Sequence, residues 1–136
     1  MGTQTYSRTY TTDTAIDGTV QATTTIETTI TEGGVDRRFQ VLIARAITSE
    51  ADNVLTGPVI SIGTNSPNYN NIVSSQSVGG ALGILDNLTL ASSLEEIPEG
   101  TGIKCKVVTA ATALPLHSVT HSFKLALFGI DQLYSE

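Results

Sequence analysis

Hydrophobic and polar residues alternate in several short stretches of this chain. In the stretch Val20–Ile30, one parity holds Val20, Ile26 and Ile30 together with small residues, and the other holds threonine, glutamine and glutamate. A period of two is typical of a strand with one solvated face, and threonine suits a pleated strand better than a helix. The stretch is therefore predicted to be a strand. For the first ten residues, Met1–Tyr10, a disordered polar arm is the alternative.

A turn signal divides this N-terminal segment. Asp17-Gly18 lies between apolar residues, and this dipeptide favours the left-handed backbone of a tight hairpin turn. The predicted hairpin has arms near Tyr6–Ile16 and Thr19–Thr31, and the glycines Gly33-Gly34 end its pattern.

The remainder of the chain contains further short strand-like segments. The predicted strands are Arg38–Ile47, Val59–Gly63, a short strand from Ile72-Val73, Leu88–Leu94, Ile103–Thr109 and Ser122–Ile130. In the first of them, Phe39, Val41, Ile43 and Ile47 share one parity, while Leu42, Ala44 and Ala46 take the other. Apolar residues on both parities predict a central or doubly covered strand.

Many short strands with turn signals between them, and no amphipathic helix, predict an all-β fold. We expect an antiparallel, jelly-roll-like β-sandwich with at most one short helix. The predicted domains are an N-terminal threonine-rich hairpin or arm, residues 1–34, and a sandwich body, residues 35–136. The side chains predicted to be buried in the body are Phe39, Val41, Ile43, Ile62, Ile103, Cys105, Val107, Phe123, Leu125 and Leu127.

Composition narrows the function classes. The 136 residues carry a formal net charge of −6, with seven scattered basic residues, so a nucleic-acid partner or an anionic membrane surface is not expected. No apolar run is long enough to span a bilayer, and the start of the chain lacks the apolar segment of a secretory signal. The single Cys105 excludes an internal disulfide, and we expect synthesis in a cytoplasm.

Residues able to do chemistry are few and poorly arranged. His117 and His121 are four apart, but beside a strand this spacing separates them by roughly 13 Å, and no third ligand is evident. Cys105 lies on the inward parity of its strand, without a recognisable nucleophile motif. Glu95-Glu96 would point to opposite faces of a strand, which does not make an acid/base pair. We predict no catalytic, cofactor-binding or metal-binding residues, no cofactor, and no enzymatic activity.

One loop offers a candidate recognition element. Tyr69 lies among Asn65, Asn68, Asn70 and Asn71, and an aromatic ring beside amides is what a glycan-binding site requires. The favoured interpretation is an ordered loop whose asparagines bond back to their own backbone.

Three segments carry a resemblance to a known class of protein. They are Val59–Val73, Ile97–Thr112 and Phe123–Asp131. These segments resemble small tailed-phage virion proteins of β-sandwich type, namely head decoration (cement) proteins and related head-fibre or knob modules, over roughly residues 38–131. The resemblance implies a homotrimer or other oligomer seated on the major capsid protein, with an N-terminal segment able to reach a neighbouring subunit. It assigns no functional residue.

We therefore expect a structural virion protein that binds the outside of a phage capsid and stabilises it. It would be made in the host cytoplasm and located on the capsid surface. The alternative is a receptor- or glycan-binding module of a phage head or tail fibre, and an enzyme on a β-sandwich scaffold ranks third.

Overall fold

The computed structural model describes residues 2–28, 36–91 and 96–135, which contain β-strands and no helix. This confirms the predicted all-β class. The strands are β1 (Gly2–Thr11), β2 (Ile16–Asp17), β3 (Thr23–Thr28), β4 (Asp36–Asp52), β5 (Val54–Thr56), β6 (Val59–Gly63), β7 (Val73–Ser77), β8 (Leu85–Leu88), β9 (Glu96–Pro98), β10 (Gly102–Thr109), β11 (Thr112–Ala113) and β12 (Thr120–Ser135).

Two antiparallel sheets form the sandwich. The larger sheet has the order β1-β12-β4-β8, with β2 continuing the edge beside β12 and β9 continuing the edge beside β4. The smaller sheet has the order β3-β10-β6-β7. Strands β5 and β11 form a separate two-stranded ribbon, which the sequence pattern did not predict.

Strand pairing is nested, with the first strands joined to the last. β1 pairs with β12, β3 with β10, β4 with β8 and β9, and β6 with β7. The chain crosses repeatedly from one sheet to the other between these strands, as in a long hairpin that is rolled up. Two four-position sheets linked in this way form a jelly roll, so the predicted architecture is confirmed.

The hydrophobic core lies between the two sheets. Nine of the ten side chains predicted to be inside are buried; the tenth is Ile43. Burial alternates along β10 and β12, as a strand with one face against a core requires. The exposed fractions of Phe123 and Leu125 are 0 % and 2 %, which confirms the inward parity assigned to the last strand.

The prediction for Ile43 is wrong because β4 contains a β-bulge. Phe128 faces Ile43 on the partner strand, and the next residue, Gly129, faces Val41, so Leu42 is an extra residue in β4. The bulge reverses the parity, and Ile43 becomes 44 % exposed. Gly129 permits the close approach, because a Cβ there would overlap the carbonyl oxygen of Gln40.

The predicted N-terminal hairpin is also wrong in its pairing. Strand β1 pairs with β12 in the larger sheet, and β3 pairs with β10 in the smaller sheet. Asp17-Gly18 lies at the crossing between the sheets, where Gly18 donates its amide to the His121 carbonyl at 2.8 Å. Glycine is required there because a Cβ would overlap the His121 ring. Ile30 lies outside the described residues, and whether residues 1–34 also reach another subunit stays a prediction.

Other boundaries move by several residues. The strand predicted at Leu88–Leu94 begins earlier, as β8 at Leu85–Leu88, and residues 92–94 lie outside the described part of the chain. The last strand extends past Ile130 to Ser135 instead of ending in a tail. Within β3, Ile26 is buried as predicted, whereas Val20, before that strand, is 51 % exposed.

Candidate functional site

The outer surface of the larger sheet, called here the open face, is apolar at its centre. Its apolar side chains come from three neighbouring strands. They are Leu42, Ile43 and Ile47 of β4, Leu85 of β8, and Ala126, Phe128 and Ile130 of β12. The exposed fractions of the first four lie between 41 % and 53 %. A contiguous apolar area of this kind is typical of an interaction surface.

Two basic side chains lie within this apolar area. Arg45 packs its guanidinium carbon 5.5 Å from the centre of the Phe128 ring and donates from Nε to the Oδ1 of Asn87 at 3.1 Å. Lys124 lies in the next row, in register with Ile47. Neither forms an ion pair with a carboxylate in the described ranges. The centre of the open face is therefore cationic as well as apolar.

A shallow groove runs across the same area. Its volume is about 310 Å³, and its lining includes Arg45, Ile47, Leu85, Lys124 and Phe128. The groove joins the two cations to the apolar side chains between them. It can accept an apolar side chain with a carboxylate beside it.

The outer surface of the smaller sheet, called here the covered face, has a different character. The loop of residues 64–71 folds back over it, and Ser61 donates to the Asn68 carbonyl at 3.1 Å. Lys106 reaches the Pro67 carbonyl at 3.3 Å, and the ammonium of Lys104 lies 5.5 Å from the centre of the Tyr69 ring. The loop therefore covers the part of this face around Ser61, Lys104 and Lys106.

The asparagines of that loop bond mainly to one another, as the sequence predicted. Asn65 Oδ1 accepts from the backbone amides of Asn70 and Asn71 at 2.8 and 3.1 Å. Asn65 also donates from Nδ2 to Asn70 Oδ1 at 2.8 Å. The ring of Tyr69 is half-buried, and the ammonium of Lys104 lies over one side of it.

A buried ionic cluster, missed by the sequence analysis, ties β1 to the larger sheet. Asp131 is fully buried on β12, and its Oδ2 contacts Arg8 Nε of β1 and Arg37 Nη1 of β4, the latter at 3.2 Å. Asp131 Oδ1 has no hydrogen-bond partner among the residues that the structure describes. The signal in the sequence is that Asp131 continues the inward parity of β12. The predicted strand ended at Ile130, one residue too early to include it.

The two histidines whose spacing was weighed against a metal site, His117 and His121, have different environments. His117 is exposed in the loop before β12, whereas His121 is buried in β12. His121 Nε2 lies 2.8 Å from the Gly79 carbonyl, which also accepts from Thr48 Oγ1 at 2.7 Å. Because a carbonyl only accepts, Nε2 carries the proton, and within the described ranges His121 Nδ1 is left without a partner.

The remaining candidate chemistry is sparse. Cys105 is buried as predicted, and burial raises the pKa of its thiol to about 12, so it remains a protonated thiol at neutral pH. No group of three or more His, Cys, Asp and Glu side chains suited to a metal ion is found in the described residues. In the same residues, no helix is long and apolar enough to cross a membrane. Of the arrangements found, the open face is the strongest candidate for a functional site.

Comparison with known proteins yields a likeness of fold. No protein-family model matches the chain, and no curated protein matches it. The structure is similar to a chain in the solved structure of the cyanophage Pam1 capsid asymmetric unit, with a TM-score of 0.56 and 18 % sequence identity. The similarity covers 99 % of this chain and 87 % of the other. At this identity, the likeness concerns the jelly-roll fold.

Proposed function

We propose that this chain is a structural virion protein that binds the outside of a phage capsid and stabilises it, as decoration (cement) proteins do. The observation that carries the proposal is the similarity of fold, over nearly the whole chain, to a chain of a phage capsid asymmetric unit. Its partner is the major capsid protein, and its location is the capsid surface after synthesis in the host cytoplasm. In this proposal the chain is not an enzyme.

The arrangement of surfaces supports this function. A protein added to a preformed shell needs a surface for the shell and a body that remains folded by itself. The open face provides an apolar contact surface, and the jelly roll buries a continuous core behind it. The alternative is a receptor- or glycan-binding module, for which the half-buried ring of Tyr69 beside Lys104 is the candidate contact.

Self-association belongs to the proposal as well. Among the residues that the structure describes, strand β1 pairs only with β12, which leaves an edge ten residues long on its other side. Arg8 is its single charged residue and points inward to Asp131. Charged side chains normally protect such edges from pairing with other chains, so we propose a homo-oligomer, a trimer by the resemblance. A monomer in sedimentation equilibrium at micromolar concentration would contradict this part.

The test of the function uses empty phage shells assembled without the chain. Full-length protein should co-sediment with these empty shells. Added to DNA-filled shells that lack the chain, it should raise the temperature at which they release their DNA. A truncation that begins at Val35 is not a clean probe, because β1 and β3 belong to the two sheets. Absence of binding would contradict the proposal, and binding without added heat resistance would contradict its stabilising part.

A further inference from the structure

We propose that the centre of the open face is the docking surface for an acidic, apolar surface on another protein. This inference rests on the proposed function, under which that surface belongs to the shell. It specifies the side chains that bind and the chemistry that they recognise.

The first step is the contrast between the two outer faces. On the covered face, the loop of residues 64–71 supplies hydrogen bonds to Ser61 and Lys106 and an aromatic ring to Lys104. On the open face, Leu42, Ile43, Ile47 and Leu85 remain 41–53 % exposed. Apolar side chains are concentrated on the face that the chain leaves uncovered.

The second step is the local backbone. The β-bulge at Leu42 places two consecutive apolar side chains, Leu42 and Ile43, on the same outer face. Without the bulge, one of them would point to the core. Bulges of this kind redirect side chains and often lie beside functional sites.

The charges at the centre of the open face indicate the chemistry of the partner. The chain has a formal net charge of −6, yet the apolar centre of this face carries Arg45 and Lys124. The acidic residues of this face flank that centre: Asp17 and Glu50 lie in the row of Ser122, next to Lys124, and Glu96 lies in the row of Ile130, while the groove itself is lined by no carboxylate in the described residues. A partner with carboxylates among apolar side chains would neutralise the two cations while covering the apolar centre of the open face.

A second copy of the same face fits less well. If two copies met by their open faces, with a two-fold axis through the centre of each face, the cations of one copy would lie near those of the other. Like charges in one interface are unfavourable. An acidic partner is therefore the occupant to which the charges point.

The size of the face predicts weak docking by one copy. Three strands about 4.8 Å apart and seven residues spaced by about 3.3 Å cover roughly 300 Å². A standard interface buries about 800 Å² on each partner. Many copies on a symmetric shell, or an oligomer with several such faces, would raise the apparent affinity through multivalency.

The main test reverses charge on each face in turn. Arg45→Glu/Lys124→Glu alters the open face, and Lys104→Glu/Lys106→Glu alters the covered face with the same change in net charge. Binding to empty shells is measured by co-sedimentation at several salt concentrations, after circular dichroism and thermal melting confirm folding. We expect the open-face variant to lose at least about tenfold in affinity for the shells, whereas the affinity of the control variant should change by no more than about twofold. Binding of the wild-type protein should weaken as the salt concentration rises.

A second pair tests the apolar part of the surface. Leu85→Asp places a carboxylate in the groove, whereas Val20→Asp places one at a site of similar exposure in the turn between β2 and β3. Leu85→Asp should weaken binding by about tenfold or more, because it buries a charge against an acidic partner. Val20→Asp should bind as wild type does.

The outcomes separate this inference from the proposed function. If wild type fails to bind shells, the proposed function is wrong. If wild type binds and the open-face variants bind equally well, the docking surface is wrong and the function survives. If both double variants lose binding equally, the effect is general electrostatics, which overturns the inference. If the open-face variants instead dissociate a wild-type oligomer in sedimentation, the occupant is a second copy, which overturns the acidic partner.

Discussion

The two outer faces of the sandwich differ in polarity and in how much of each face the chain itself covers. The covered face is polar, and a loop of its own chain lies over it, held by Asn65 and by contacts with two lysines. The open face is apolar, cationic and uncovered at Leu42, Ile43 and Leu85. The difference teaches that exposure by itself does not mark a binding surface. The informative feature is apolar area that the chain could have covered and did not.

The largest effect is expected where the open face is anchored to the sandwich. Asp131→Asn removes the charge that holds Arg8 of β1 and Arg37 of β4 to β12. Breaking a buried ion pair typically costs about 3–5 kcal/mol, so the free energy of unfolding should fall by that order in urea titration. The matched control is Asp36→Asn, whose partner Arg38 is exposed, and it should cost about 1 kcal/mol or less. Equal effects would mean that the cluster does not hold β1 in place.

A comparison of two leucines tests the contrast between the inner and outer sides of the larger sheet. Leu125 is 2 % exposed and Leu42 is 45 % exposed. Leu125→Ala should lower the free energy of unfolding by about 2–5 kcal/mol, because it leaves a cavity in the core. Leu42→Ala should change it by about 0.5 kcal/mol or less, as surface substitutions do. If Leu42→Ala is as costly as Leu125→Ala, the outer side is packed and is not an open face.

The smallest effect concerns the loop over the covered face. Asn65→Ala removes the acceptor for the backbone amides of Asn70 and Asn71, which should cost about 1–2 kcal/mol. Hydrogen exchange at these two amides should accelerate. Asn87→Ala on the open face, where the lost acceptor served half-buried Arg45, is the control and should leave that exchange unchanged. Unaltered exchange in Asn65→Ala would show that the loop does not depend on its asparagines.

Much of the fold followed from local pattern. The parity of Ile103, Cys105 and Val107 predicted one buried side of β10, and the alternation in Phe123–Leu127 did the same for β12. The asparagine loop was predicted correctly because its bonds are short-range. Of the candidate site, the sequence indicated apolar residues on both sides of β4 but not which of them face outward.

The predictions that were wrong share one physical cause: the conformation of these residues depends on contacts with residues distant in the sequence. Asp17-Gly18 carries a hairpin signal, yet β1 found its partner more than a hundred residues away in β12, and Gly18 is needed to fit beside His121. Ile43 was placed inside by simple alternation, and the bulge opposite Gly129 reversed it. Asp131 was left outside the predicted strand Ser122–Ile130, and its two arginine partners lie on other strands, where no local pattern shows them.

The sequence by itself determined the strand-forming segments, the apolar core residues and the self-bonded loop, because side-chain alternation and turn chemistry act over a few residues. The tertiary structure decided the pairing of the strands, the bulge in β4 and the burial of the Arg8–Asp131–Arg37 cluster. These features depend on contacts between residues far apart in the chain, which no local pattern encodes. The open face exists through them, since the bulge turned Ile43 outward and the sheet order brought it beside Phe128 and Arg45.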